Sequence, residues 1–279
     1  MEIPKLINWS ITNCCNLKCG FCFKLNNCDA SFEDKKYIFN RMLKSGIKQI
    51  TFTGGEPLLD KNLAYFAYMC DKYSIKSSLH TNATLTKQFY QVCDSFDRIS
   101  FSLDGNTPTV NKIMRGYDSY LQSVLEKINY LRAHNRDFVI KTIVTRQNIG
   151  SIIGMIPLIK ELKPTFWSIF EFRPLRIGQQ NNDLYSLSDN LFDKLTKDIK
   201  MNIAEDISLN IRSNKDASKY PIFLVSGKGL VYTNDIHKGD ILIGSLMESS
   251  VKDIWQKIVA LNGVDLFYKS RNLNLTKRD

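Results

Sequence analysis

The chain has 279 residues, 43% of them hydrophobic, which is enough to bury a sizeable core and excludes a disordered polypeptide. No apolar run approaches the ~20 residues of a membrane span, and the start MEIPKLINWS lacks the basic head and long apolar stretch of a signal peptide, so no membrane partner and a cytoplasmic location are expected. The net charge of +10 suits an anionic substrate or an acidic electron-donor protein, but the basic residues are scattered, which makes nucleic acid the weaker expectation.

The chain alternates strand and helix. LINWSIT (Leu6 to Thr12) reads as a first strand and runs into TNCCNLKCGFCFKLNNC, where five cysteines crowd between Cys14 and Cys28. SFEDKKYIFNRMLKSG predicts a helix with a Ser/Asp-type start and a stop at Gly46. Ile47 to Gly55 predicts the second strand, KNLAYFAYMCDKY a helix, and IKSSLHT a strand ending at Thr81. TLTKQFYQVCDSF predicts a helix and RISFSLDG a strand with a turn at Asp104-Gly105. SYLQSVLEKINYLRAHN is amphipathic, FVIKTIVT a β-branched strand, IGSIIGMIPLIKEL a helix despite Gly154 and Pro157, and FWSIFEF a sixth strand.

Six β-then-α units predict an α/β fold, a partial (β/α)6 barrel over residues 1–205 with its ligands at the C-terminal ends of the strands. The unusual motifs fall on that edge: the cysteine loop after strand 1, GGEP after strand 2, HTN after strand 3, SLDG after strand 4. Residues 206–279 are expected as a small C-terminal extension packed on the barrel mouth, with a hairpin around Gly227 and Gly229 and a closing helix in SVKDIWQKIVALNG.

Cys15, Cys19 and Cys22 form C-x3-C-x2-C. Reduced thiols so grouped in a cytosolic protein point to metal. Three thiolates can hold three corners of an iron–sulfur cluster with a fourth iron open, zinc can complete a four-thiolate site with Cys14 or Cys28, and buried thiols can simply pack.

The triplet after the first strand, an aromatic (Phe21) before its third cysteine, GGEPLL after the second strand, and SLDG and MRG further on resemble the radical S-adenosylmethionine (SAM) enzymes over about the first 200 residues. The resemblance implies that Cys15, Cys19 and Cys22 hold one [4Fe-4S] cluster, whose open iron is chelated by the amino and carboxylate groups of SAM. It also implies one-electron cleavage of SAM to a 5′-deoxyadenosyl radical, which abstracts hydrogen from the substrate. Cys14 is off register, and Cys14, Cys28, Cys70 and Cys93 are expected to be packed or merely nearby thiols.

By the same resemblance Gly54 and Gly55 bring backbone close to the methionyl group, and Glu56 accepts from the SAM ammonium. Ser102, Asp104 and Asn82 are ribose contacts, Arg115 clamps the SAM carboxylate, and Phe21, with the strand 6 segment near Phe170, borders the adenine. His80 reads as structural. Two subfamilies compete for the substrate. CNLKCGFCF, GIKQITFTGGEP, FWSIFEFRPL and the C-terminal segment resemble viperin and its prokaryotic relatives, which dehydrate a nucleoside triphosphate; there Lys141 matches a lysine facing the triphosphate. SLDG and MRG resemble peptide-modifying SPASM or Twitch-type members, which makes modification of a peptide or other small metabolite the alternative; a non-enzymatic metal-binding module is the remote one. A reduced flavodoxin or ferredoxin is the implied electron donor.

Overall fold

The computed structural model describes residues 3–24, 29–188, 190–203, 207–215, 221–235 and 239–262. β1 (Ile7–Thr12) leads through the cysteine loop to α1 (Phe32–Lys44), β2 (Gln49–Gly54) to α2 (Leu63–Lys72), β3 (Lys76–Thr81) to α3 (Thr86–Val92), and β4 (Arg98–Ser102) to α4 (Pro108–Arg115) and α5 (Tyr120–Ala133). β5 (Phe138–Val144) precedes α6 (Ile149–Ile152) and α7 (Ile156–Leu162); β6 (Phe166–Glu171) precedes α8 (Ile177–Gln180), α9 (Asn182–Tyr185) and α10 (Leu191–Asn202). β7 (Ser208–Arg212), β8 (Leu224–Val225), β9 (Leu230–Asp235), β10 (Gly239–Ser245) and α11 (Val251–Asn262) follow.

Local chemistry sets the element ends. Ser31 caps α1 by accepting from the Asp34 N–H at 3.1 Å, with Glu33 and Asp34 in the first turn where the helix dipole favours them. α4 opens on Thr107 and Pro108 and closes at Gly116 in the left-handed conformation (φ 69°). The single helix predicted over IGSIIGMIPLIKEL is instead α6, a 3₁₀ turn and α7, because Pro157 has no N–H to continue the ladder and sits in the first turn of a new helix.

The ten strands among the described residues form one sheet, in the order β10-β9-β8-β1-β2-β3-β4-β5-β6-β7, with β1 to β7 parallel. The crossover helices bury one face of it. Along β1, Ile7, Trp9 and Ile11 point to that side, and Trp9 packs edge-on against Phe66 of α2 with centroids 4.9 Å apart. The alternate residues face inward, and the inner face is polar: Ser10, Thr51, Ser78, Ser100 and Ser168 are all buried there.

The parallel sheet runs on across residue 205. β7 pairs with β6 from Phe166↔Ser208 to Phe170↔Arg212, a seventh strand that the sequence reading does not include. The hairpin expected around Gly227 and Gly229 is β8–β9, closed by a Gly229 N–H to Ser226 carbonyl bond of 3.0 Å, and β10 adds a second. β8 also pairs parallel with β1, so the extension lengthens the sheet at that edge. The loop after β6 reaches the far edge of the sheet: Arg176 stands 2.8 Å from Asp240 on β10. Among the described residues no helix is long and apolar enough to cross a membrane.

Candidate active site at the strand ends

The cysteine loop is tied at its base. Asp29 accepts from the Thr12 hydroxyl (2.6 Å) and the Asn13 N–H (2.8 Å), and although burial opposes it these bonds hold its carboxyl below the usual range. Within the loop each sulfur of the triplet has its own donor: the Leu17 N–H on Cys15 and the Lys24 N–H on Cys22, both at 3.4 Å, and Arg115 Nη1 on Cys19 at 3.9 Å. Burial pushes the Cys15 and Cys22 thiols up against those bonds, and the neighbouring sulfurs add to it. Left to themselves these groups stay protonated, so a metal that binds them must displace their protons. Cys14 is exposed and leans the other way, its sulfur 3.5 Å from Asp29 Oδ2, which removes it from a four-thiolate zinc set; Cys28 lies outside the described residues. Cys70 and Cys93 are buried in the core, and burial raises Cys70 to about 12. Among the described residues no three His, Cys, Asp or Glu side chains gather tightly enough for a single ion.

The GGEP turn lies directly on this loop. The Gly55 N–H donates to the Thr12 carbonyl and the Glu56 N–H to the Cys14 carbonyl, both at 2.8 Å. A Cβ on Gly54 (φ 140°) would stand 2.1 Å from the Thr12 oxygen, and one on Gly55 2.0 Å from the Cys14 oxygen. The two glycines are therefore required by the chain's own backbone, a nearer reason than the approach to a methionyl group read from the sequence. Glu56 is buried, with Oε1 accepting from the Thr81 hydroxyl (2.8 Å) and Oε2 from the Asn82 N–H (2.7 Å). Burial, against those bonds, raises it to about 7.

That shift predicts a pH dependence. The folded pKa lies above the unfolded one, so the stability tied to protonated Glu56 is full below about pH 4.5 and is lost as pH rises through about 7. Thermal melts of the metal-free protein between those limits should show wild type losing on the order of 3 kcal/mol more than Glu56→Gln. Parallel slopes for the two proteins would contradict the assignment.

Asn82 is spent on the loop: its Nδ2 donates to Asn16 Oδ1 (3.0 Å) and lies 4.0 Å from the Cys15 sulfur, while its Oδ1 accepts from Thr84. It latches the β3 end to the cysteine loop. Asp104, Arg115 and Phe21, read as three separate ligand contacts, are joined to one another. Asp104 is fully buried, accepts from the Ile143 N–H at 2.9 Å and faces Arg115 Nη2 at 2.5 Å. Burial alone would lower Arg115, but the carboxylate holds it charged well above its usual value. The guanidinium lies 5.0 Å over the Phe21 ring, and Phe21, only 4% exposed, packs with Met114 and Phe172. Through Arg115 this group supports Cys19.

Ser102 lies partly exposed at the end of β4, in register with Lys141 on β5. Lys141 Nζ reaches across β4, over the small side chains of the inner face, to His80 Nε2 at 2.5 Å. Burial and the lysine charge hold His80 well below its usual value, so the ring is neutral and accepts from the ammonium. The sequence reading treats His80 as structural; the alternation in KSSLHT, which puts Ser78 and His80 on one face, is the signal that finds it.

The family model of the radical SAM superfamily matches residues 9–156, more than half of the chain. The chain belongs to the radical SAM superfamily. Its relatives include the AdoMet-dependent heme synthase of Nitratidesulfovibrio vulgaris, 29% identical over 61% of this chain and 48% of that one. They also include the S-adenosylmethionine-dependent nucleotide dehydratase of Flammeovirga pacifica, 25% identical over 65% of this chain and 67% of the other. The chain spans about half the length of the first curated relatives it matches. Among solved structures, Streptococcus suis SuiB bound to precursor peptide SuiA superposes with a TM-score of 0.69 at 18% identity, over 98% of this chain and 67% of SuiB, which shows the fold.

The superfamily's cofactors are a [4Fe-4S] cluster and SAM. The donor set fits them: three thiols on one loop, each met by a donor, beside a glycine turn with no room for side chains. Ser10 Oγ, buried on the inner face 3.1 Å from where a Gly54 Cβ would stand, has no hydrogen-bond partner among the described residues.

Proposed function

We propose that this protein is a radical SAM enzyme that modifies a peptide or a small metabolite by hydrogen-atom abstraction. Cys15, Cys19 and Cys22 hold the cluster, and Gly54, Gly55, Glu56 and Ser102 border SAM. Asn82, Asp104, Arg115 and Phe21 act one layer behind, by fixing the cysteines. Cluster and SAM together supply a one-electron cleavage and the 5′-deoxyadenosyl radical that comes from it. The protein's part is to hold the three sulfurs apart and to keep the inner face closed to water. A reduced flavodoxin or ferredoxin is the donor that suits a chain of net charge +10.

The observation that carries the peptide reading is the extent of the likeness to peptide-bound SuiB, which takes in 98% of the chain, hairpins and α11 included. Nucleotide dehydration is a second reading, favoured by Lys141, a cation held on the polar inner face beside a neutral histidine.

One experiment separates them. The reconstituted protein, with SAM and dithionite under anaerobic conditions, is assayed for 5′-deoxyadenosine with each nucleoside triphosphate and with short peptides encoded beside its gene. On the peptide reading no triphosphate stimulates turnover and one peptide raises it by ~10-fold or more. Strong stimulation by one triphosphate, a product lighter by one water, and loss of triphosphate affinity in Lys141→Ala with SAM cleavage intact would reverse the choice.

A further inference from the structure

The segment that follows β6 runs along the back of the cysteine loop and engages its carbonyls in turn. Asn181 Nδ2 donates to the Gly20 oxygen at 2.9 Å, the Gly178 N–H to the Cys22 oxygen at 3.2 Å, and Arg176 Nη1 to the Phe23 oxygen at 3.1 Å. The fit leaves no room for more: a Cβ on Gly178 would stand 3.2 Å from the Phe21 oxygen and 3.0 Å from the Phe172 ring.

Arg176 reaches further. Its Nη2 is 2.8 Å from Asp240 Oδ2 on β10, and its guanidinium lies 5.1 Å over the Tyr232 ring of β9. Both partners are shielded from water, the side chains of Arg176 and Asp240 being 17% and 9% exposed. Beside them Leu175 abuts Gly239, where a Cβ would be 3.0 Å from its Cδ2. The arginine is also strained: φ 54° and ψ −115° fall outside even the left-handed region that non-glycine residues visit. Strain of that kind persists where the surroundings over-determine it, and here contacts from two distant parts of the chain do so.

We propose that Arg176 is a positioning residue through which the C-terminal hairpin holds the cluster loop and sets the charge beside Cys22. The inference rests on the reading of Cys22 as a cluster ligand. It has two consequences. Releasing the Phe23 carbonyl loosens the loop one residue from Cys22, so iron leaves faster. The net charge of the bridge also bears on the cluster, because a cation near a cluster favours its reduced, more negative form. Removing Arg176 therefore lowers the reduction potential, and removing the charge of Asp240, which leaves the guanidinium uncompensated, raises it.

The test uses the full chain, reconstituted anaerobically, as wild type, Arg176→Gln and Asp240→Asn. Iron release to a chelator, the reduction potential by titration, and the melting temperature of the metal-free protein are measured. Iron release should be ~10-fold faster in both variants, in line with other outer partners of metal ligands. The potentials should move in opposite directions, with whatever fall in the metal-free melting temperature the loss of a shielded ion pair brings common to both variants. A role in packing alone would lower the melting temperature and leave the potentials without opposite signs. If Arg176→Gln does not fold, the isosteric Asp240→Asn carries the test through its upward shift. Normal iron loading with release rates within about two-fold of wild type overturns this proposal alone. A wild-type protein that takes up no iron overturns the cluster reading, and this proposal with it.

Discussion

Cys15→Ser, Cys19→Ser and Cys22→Ser should each abolish the cluster: iron content and visible absorbance fall to background, and 5′-deoxyadenosine formation drops by more than ~100-fold. Loss of an outer partner costs 10–100-fold in comparable sites, and loss of a ligand costs more. The three positions are not interchangeable with the other thiols. Cys14 is turned toward Asp29, and Cys70 sits in the core with its pKa raised to about 12, so neither can step in. Cys14→Ser and Cys70→Ser should therefore keep iron and turnover. Because the triplet is only half-buried, the serine variants should fold with stability within about 1 kcal/mol of the wild-type apoprotein. Iron analysis, absorbance and chromatography of the nucleoside product check all five. Retention of iron by any triplet variant would contradict the ligand assignment.

Gly55→Ala should lose both stability and cluster. The added methyl would stand 2.0 Å from the Cys14 carbonyl oxygen, which is backbone and cannot swing aside. The turn must withdraw, and the bonds from the Gly55 and Glu56 N–H groups to Thr12 and Cys14 go with it. Two hydrogen bonds and an overpacked contact come to about 3 kcal/mol, or roughly 6–12 °C in melting temperature. The cysteine loop is displaced at the residue before Cys15, so iron loading should fall by ~10-fold or more. Gly150→Ala is the control: nothing lies within 4 Å of its Cβ position, it sits in α6, and alanine is favoured there by up to ~1 kcal/mol. Equal behaviour of the two variants would mean that the glycine turn does not seat the cysteine loop.

What could be read from the sequence, and what could not, follows from the range of the interactions. Cys15, Cys19 and Cys22, the GGEP turn and the six strand–helix units are written locally, in spacing and periodicity, and the structure brings the motifs to one edge. Asp104 and Arg115 can be singled out locally but their pairing cannot, because nothing local shows that α4 delivers the arginine to a buried carboxylate held by the Ile143 N–H. The same holds for Asn82, which faces Asn16 on another loop. β7 was missed although Leu209 and Ile211 alternate with Ser208, Asn210 and Arg212: a five-residue strand with a polar inner face reads as loop. The second hairpin was hidden similarly, since β10 is kinked between Leu242 and Gly244 and its pattern breaks there. The alternation in KSSLHT places His80 on the inner face but not its partner Lys141 across an intervening strand, and nothing local joins Arg176 to Asp240 at the far end of the chain.

The most direct test of the central claim is a paired measurement on the wild-type chain, reconstituted anaerobically with iron and sulfide and then reduced with dithionite in the presence of SAM. About four irons per chain and formation of 5′-deoxyadenosine are expected, both lost together in Cys22→Ser. Zinc in place of iron, or a four-iron protein that yields no 5′-deoxyadenosine, would contradict it.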